Sequence, residues 1–203
     1  MKNIVRLAFM WICASTMASN LNADISMSSG NLKDWSIVEQ IAIKMHTELF
    51  EELGQKTPPG YFQDRMNGLK DMVKSGALKL ICCYNNEECI GFCTFRIEQE
   101  AAYLGSCSYD ENKITDLEFK QAFKIHMLEY YPEVVLVFAA DMFPSHEGPV
   151  ITKYRNRWAI LGFVRTDDPR AKLCVIDPSK RDGAQGYVLT LSSEGDTDFN
   201  LPD

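Results

Sequence analysis

The sequence predicts an α+β (α/β) fold, a mixed β-sheet flanked by helices in the order α-α-β-β-β-α-β-α-β-β. Three observations carry this expectation. Two segments open on capping-box residues and continue with apolar positions at helical spacing. Two apolar segments flank the polar run Tyr84-Asn85-Asn86-Glu87-Glu88, as in a hairpin. The run Val134-Val135-Leu136-Val137-Phe138-Ala139-Ala140 is apolar throughout, which suits a strand covered on both faces.

Taken in order, Ser36-Ile37-Val38-Glu39 is a capping box, and Asp34 adds negative charge at the same helix start. Ile37, Ile41, Met45, Leu49 and Leu53 follow near the 3.6-residue period, and Gly54 ends the helix. Pro58-Pro59-Gly60 is a loop before a second helix over 61–74, closed by Ser75-Gly76. The hairpin strands fall at 78–84 and 89–97, with a further strand at 101–108. Thr115-Asp116-Leu117-Glu118 is a second capping box. Its helix ends at Pro132 and is expected to turn Phe119, Phe123, Met127 and Tyr130 inward. The buried strand at 134–140 follows, parallel to 101–108 and central in the sheet, as a right-handed crossover requires. After a loop at 144–149, a helix shows Val150, Tyr154, Trp158 and Leu161 on one face and stops at Gly162. A positive φ is expected there, so that the chain can turn and Phe163-Val164 can enter the sheet. Strands at 163–166, 172–176 and 187–192 complete the pattern.

The ends read differently. Residues 1–23 have the form of a secretory signal: Lys2 and Arg6, the apolar run 7–14, and Leu21-Asn22-Ala23 as a cleavage site. The apolar run is too short to span a bilayer. Cleavage leaves no integral membrane span in the mature chain and an exported, periplasmic or secreted, product. The domain is expected at 34–192, followed by an acidic, flexible tail at 193–203. The formal net charge is -7, from 21 Lys and Arg against 28 Asp and Glu. That balance disfavours nucleic-acid binding, which needs a basic face to displace counterions.

Six cysteines follow Cys13: Cys82, Cys83, Cys89, Cys93, Cys107 and Cys174. An even number in an exported chain permits disulfides. With Asn85-Asn86 as the hairpin turn, Cys82 stands opposite Cys89, a close but often strained arrangement for a disulfide. A metal site lacks the usual C-x2-C spacing. Buried thiols acting as small core residues are the other reading.

The element order and two phrases together resemble the GCN5-related N-acetyltransferase (GNAT) family over about 36–192. Trp158-Ala159-Ile160-Leu161-Gly162-Phe163-Val164 is similar to the family's helix end, where Gly-Phe leads into the next strand. Ile90-Gly91-Phe92-Cys93-Thr94-Phe95 is similar to its third strand. The resemblance implies acetyl-CoA as cofactor, transfer of its acetyl group to a small-molecule or protein amine acceptor, and coenzyme A contacts from Cys107, Ser108, Tyr109, Lys113 and Thr115. The chain departs from the family in two places. The pyrophosphate loop, in the family Arg/Gln-x-x-Gly-x-Gly/Ala, is here Tyr109-Asp110-Glu111-Asn112-Lys113-Ile114-Thr115-Asp116, without glycine. Trp158 stands where the family often carries a tyrosine acid, and an indole N–H has no acid–base role.

Asp141, His146 and Glu147, after the apolar strand, are the candidate bases, because sites form at the C-terminal ends of strands in open α/β sheets. The same positions equally suit an Asp141 that caps the strand exit and a His146 that lies in solvent. Tyr154 offers a hydroxyl one turn before Trp158, or packs in the core. Lys153, Arg155 and Arg157 read as a solvated helix face. Two functions remain open at this point: an acyl-CoA-dependent N-acetyltransferase, and a catalytically inactive GNAT-like binding module.

Overall fold

The structure is a computed structural model and describes residues 25–191. The signal segment expected at 1–23 and the tail expected at 193–203 lie outside the described residues. The described chain runs β1 (Ile25–Ser29), α1 (Trp35–Glu52), α2 (Tyr61–Lys74), β2 (Lys79–Asn85), β3 (Glu88–Glu98), β4 (Ala101–Tyr109), α3 (Asp116–Tyr130), β5 (Leu136–Asp141), α4 (Pro149–Ile160), β6 (Val164–Thr166) and β7 (Gln185–Thr190). These strands form a seven-stranded sheet in the order β1-β2-β3-β4-β5-β7-β6. β4 and β5 are parallel, and the other neighbours are antiparallel. The mixed sheet and its flanking helices are as expected, with β5 interior and joined to β4 through α3.

Alternation along β2 and β3 sends side chains to opposite layers. Leu80, Cys82, Cys89 and Phe92 pack with Trp35, Val38 and Ala42 of α1 and Met66 of α2. Ile81, Cys83, Cys93 and Phe95 pack with Phe119, Phe123 and Met127 of α3. The Thr115 capping box is formed as read: its hydroxyl accepts from the Glu118 N–H, and the Glu118 carboxylate accepts from the Thr115 N–H at 2.9 Å. Gly162 has φ +90°, and Phe163 behind it is buried, edge-on to Trp158 at 5.1 Å.

Several expectations are corrected. Ser36 does not cap α1. A short 3-10 turn, Leu32–Asp34, capped by Asn31, feeds directly into Trp35. The Asp34 carboxylate instead accepts the Tyr84 hydroxyl at 2.8 Å. β1 is a strand that the sequence pattern does not predict, since its five residues, Ile-Ser-Met-Ser-Ser, are mostly polar and bury only Ile25. The hairpin turn is Asn86-Glu87, with Asn86 at φ 53°. A register shift at Cys83/Tyr84 then puts Tyr84 opposite Cys89 and Cys82 opposite Phe92. The expected strand at 172–176 is largely a 3-10 helix, Pro169–Cys174. Asp168 caps it by accepting the Arg170 N–H, and Pro169 fixes its first turn. Tyr130 is exposed rather than inward, because α3 turns it past the edge of the core.

Candidate functional site in the cleft between β4 and β5

The two parallel strands stay together only over 101–103 and 136–138. Beyond that they part. On its other edge β4 carries a bulge: Thr94 pairs with Ser106 and Phe95 with Leu104, leaving Gly105 as the extra residue. A bulge bends and twists its strand. β5 is meanwhile held along its whole length by β7. The result is a cavity of about 180 Å³ at the C-terminal ends of the strands. Gly105, Ser106, Cys107 and Ser108 form one wall, Ala140, Asp141 and Met142 the other, with His46 from α1 and Tyr154, Arg157 and Trp158 from α4 closing it. A second cavity shares Ser108, Tyr109, Tyr154 and Arg157 and is lined by Lys44, Glu48, Asp110, Glu111 and Lys153.

Tyr154 therefore stands between two cavities. Burial, reinforced by the Glu48 carboxylate, pushes its hydroxyl up to about 12, with Arg157 opposing. The phenol keeps its proton at neutral pH. His46, stacked on Phe62 at 6.0 Å, is lowered to about 4, first by burial and then by the Arg65 charge. It presents a neutral imidazole to the cleft. The sequence reading missed it, because at one position on an amphipathic helix a histidine carries no signal of its own.

Arg155 and Arg157 correct the solvated-face reading. Arg157 is buried, lies over the rings of Tyr109 (4.7 Å) and Tyr154 (5.4 Å), and pairs with Glu111 and, at 3.5 Å, Asp116. Tyr109 donates its hydroxyl to the same Asp116. Arg155 binds Asp141 at 2.8 Å and the carbonyls of Phe143 and His146.

The candidates read from sequence are brought together only in part. Tyr154, Cys107, Ser108, Tyr109 and Asp141 line the cleft. Asp141 is engaged there by Arg155 and by the Phe143 N–H at 2.7 Å. His146 and Glu147 are exposed in the following loop and stand outside the lining. Lys113 pairs with Glu88 at 2.5 Å, and Thr115 is held in its capping box.

The start of α3 tests the fit of a diphosphate. Most backbone N–H groups there are already engaged. Asn112 donates to the Asp110 carboxylate, Lys113 and Ile114 donate to the Asp110 carbonyl, and Thr115 donates to Glu118. Asp110, Glu111, Asp116 and Glu118 surround them. The surrounding carboxylates oppose the charge that anion binding uses, so this helix start does not fit a diphosphate. The cleft does fit a narrow, mostly apolar arm ending in a polar group.

No protein-family model matches the chain, and no curated protein does. Solved structures match it in shape. An acetyltransferase from Thermus thermophilus superposes with a TM-score of 0.56 at 16% identity, covering 82% of this chain and 97% of that one. The fold is that of the GNAT acetyltransferases. An acetyl transferase from Salmonella typhimurium modifies the N-terminal serine of ribosomal protein L7/L12. It has a TM-score of 0.55 at 15% identity, over 83% of this chain and 96% of that one. RimL, an L7/L12 acetyltransferase seen with coenzyme A in disulfide linkage to a cysteine, has a TM-score of 0.54 at 13% identity, over 86% and 98%. Among the described residues no helix is long and apolar enough to cross a membrane.

Proposed function

We propose that this chain is an N-acyltransferase of GNAT type that passes an acetyl group from acetyl-CoA to an amine in the β4–β5 cleft. The observation that carries the reading is the parting of the two parallel strands at the Gly105 bulge, beside a protonated phenol and a neutral imidazole. The donor supplies an activated carbonyl carbon. The bulged backbone, outside the strand ladder, offers hydrogen bonding to a carbonyl oxygen. The acceptor enters as the free amine, its proton lost to water, and the neutral His46 imidazole accepts a hydrogen bond from its N–H during attack. Tyr154 gives its proton to the departing thiolate as the C–N bond forms and the C–S bond breaks, and is restored by the surplus proton that the acylated nitrogen loses. The adjoining cavity balances Glu48, Asp110 and Glu111 against Lys44, Lys153 and Arg157, so its charge does not select the acceptor. The acceptor is a small-molecule amine or a peptide terminus, and the L7/L12 N-terminus modified by the Salmonella neighbour is an acceptor of the second kind.

The test is mass spectrometry of acceptors incubated with the purified chain and acetyl-CoA. A panel of a polyamine, free amino acids and a serine-initiated peptide should yield at least one acetylated product. Tyr154→Phe should lower kcat by about 100-fold with KM little changed. A wild-type chain that acetylates none of the panel contradicts the reading.

One observation favours a second reading, a GNAT-fold binding module without catalysis: the self-capped, acidic start of α3. Failure to bind any acetyl thioester would establish that module in its place. We also propose that residues 1–23 export the chain. Coenzyme A is a cytosolic metabolite, so the exported protein would act after delivery into another cell's cytosol.

A further inference from the structure

We infer that Cys93 and Cys107 form a dithiol site in the wall of the β4–β5 cleft, which reacts with low-molecular-weight disulfides and closes to an intramolecular disulfide. The site lies beyond the acyl-transfer reading and does not depend on it. Cys93 on β3 and Cys107 on β4 are direct antiparallel partners. Their sulfurs lie 2.8 Å apart, with the Cys93 thiol donating to Cys107 Sγ. A disulfide needs roughly 2.05 Å, so the sulfurs must approach by under an ångström. The neighbouring bulge at Gly105 gives β4 a local irregularity that can absorb this shift.

The two thiols differ in access, which sets their order of reaction. Cys107 is partly exposed and lines the cleft. Cys93 is buried beneath it, and that burial, with the hydrogen bond to Cys107, holds its thiol well above the ordinary range. The donor aimed at Cys107 Sγ solvates the sulfur that carries charge during attack. Cys107, as thiolate, attacks a disulfide R–S–S–R, forming Cys107–S–S–R and expelling one thiolate that is protonated to R–SH. Cys93 Sγ then attacks the Cys107 sulfur, and its proton leaves with the second R–SH. The chain loses two hydrogens and the small disulfide gains them. Among the described residues no other thiol combines these features. Cys82 and Cys89 are buried on the opposite layer, Cys83 is buried behind Cys93, and Cys174 lies apart under the 3-10 helix.

The test uses glutathione disulfide on the reduced full chain. Free thiols are alkylated in denaturant and peptides are read by mass spectrometry after trypsin. Cys107 is the sole cysteine of tryptic peptide 97–113, and because peptide 80–96 holds Cys82, Cys83, Cys89 and Cys93, fragmentation of the cross-linked pair assigns the partner. The expected result is a Cys93–Cys107 cross-link with two glutathione thiols released per chain. Cys93→Ser should stop at a glutathione adduct on Cys107. Cys107→Ser should give neither adduct nor cross-link at the cleft, and Cys107→Ala guards against a folding effect particular to serine. Oxidation appearing first at Cys82, Cys83, Cys89 or Cys174, or a wild-type chain that keeps both thiols free, overturns the inference.

Discussion

Arg157 lies over two tyrosine rings and reaches two carboxylates, Glu111 and Asp116, that precede it by more than forty residues. In the sequence it looks like a neighbour of Lys153 and Arg155 on a wet helix face, and nothing local distinguishes it. Its role follows from β4 and the loop after it, which bring Tyr109 and Glu111 under α4. His46 is similar: one residue on α1 acquires its chemistry from burial beside Phe62 and Arg65. That burial has a consequence for acid stability. An unfolded imidazole titrates near 6.5 and the folded one at about 4. Between these values the unfolded chain binds a proton that the folded chain does not, so acid favours unfolding. The contribution is complete above about pH 6.5 and is lost as pH falls towards about 4. His126, also lowered by burial, adds loss in the same direction. Urea unfolding should show a wild-type stability that declines between about pH 7 and about pH 4.5. His46→Gln should decline less, the difference being on the order of 1–3 kcal/mol. Identical pH dependence in the two proteins would show that His46 is not buried as described.

Elements with strong local chemistry were legible in the sequence. The Thr115 box, the helix over 61–74 and the interior β5 strand stand where cap residues and apolar period place them. Misreadings cluster where a tertiary partner outvotes a local signal. Asp34 and Ser36 both suit a helix start, and the Tyr84 hydroxyl together with the preceding 3-10 turn decides the boundary. The Asn85-Asn86 turn slips by one residue because a bulge at Cys83/Tyr84 accommodates the shift. The slip takes Cys82 out of direct opposition to Cys89, while the opposed pair Cys93/Cys107 is set separately by the β3–β4 pairing. The end of α4 is the most testable boundary. Gly162 at φ +90° turns the chain so that Phe163 enters the core. Gly162→Val should destabilise by at least ~1 kcal/mol, since a β-branched residue is strained at that φ. Phe163→Ala should cost about 3–5 kcal/mol. Thermal melts check both, and a Gly162→Val protein as stable as its parent would contradict the turn geometry.

At the scale of the whole molecule, a sheet whose two central parallel strands separate is what turns scattered side chains into a site. The element order and the Leu161-Gly162-Phe163 phrase were enough to place the fold, which the Thermus and Salmonella structures share at 16% and 15% identity. The site was legible only in part, because the bulge at Gly105 and the capture of Asp141 by Arg155 arise from pairing across the sheet. Export belongs to this scale too. Residues 1–24 fused to a reporter that folds only outside the cytoplasm should give activity and a cleaved product near Ala23, and an uncleaved cytosolic product would contradict the signal reading. The central claim is that the cleft holds an acetyl thioester while the capped start of α3 contributes nothing to holding a diphosphate. Calorimetric titration with acetyl-CoA and with S-acetylpantetheine, which lacks the diphosphate and nucleotide, tests it most directly. The cleft reading predicts binding of both, with dissociation constants within about threefold of each other. Acetyl-CoA binding more than about tenfold tighter would put the diphosphate back on α3, and binding of neither would remove the acyl donor from the cleft altogether.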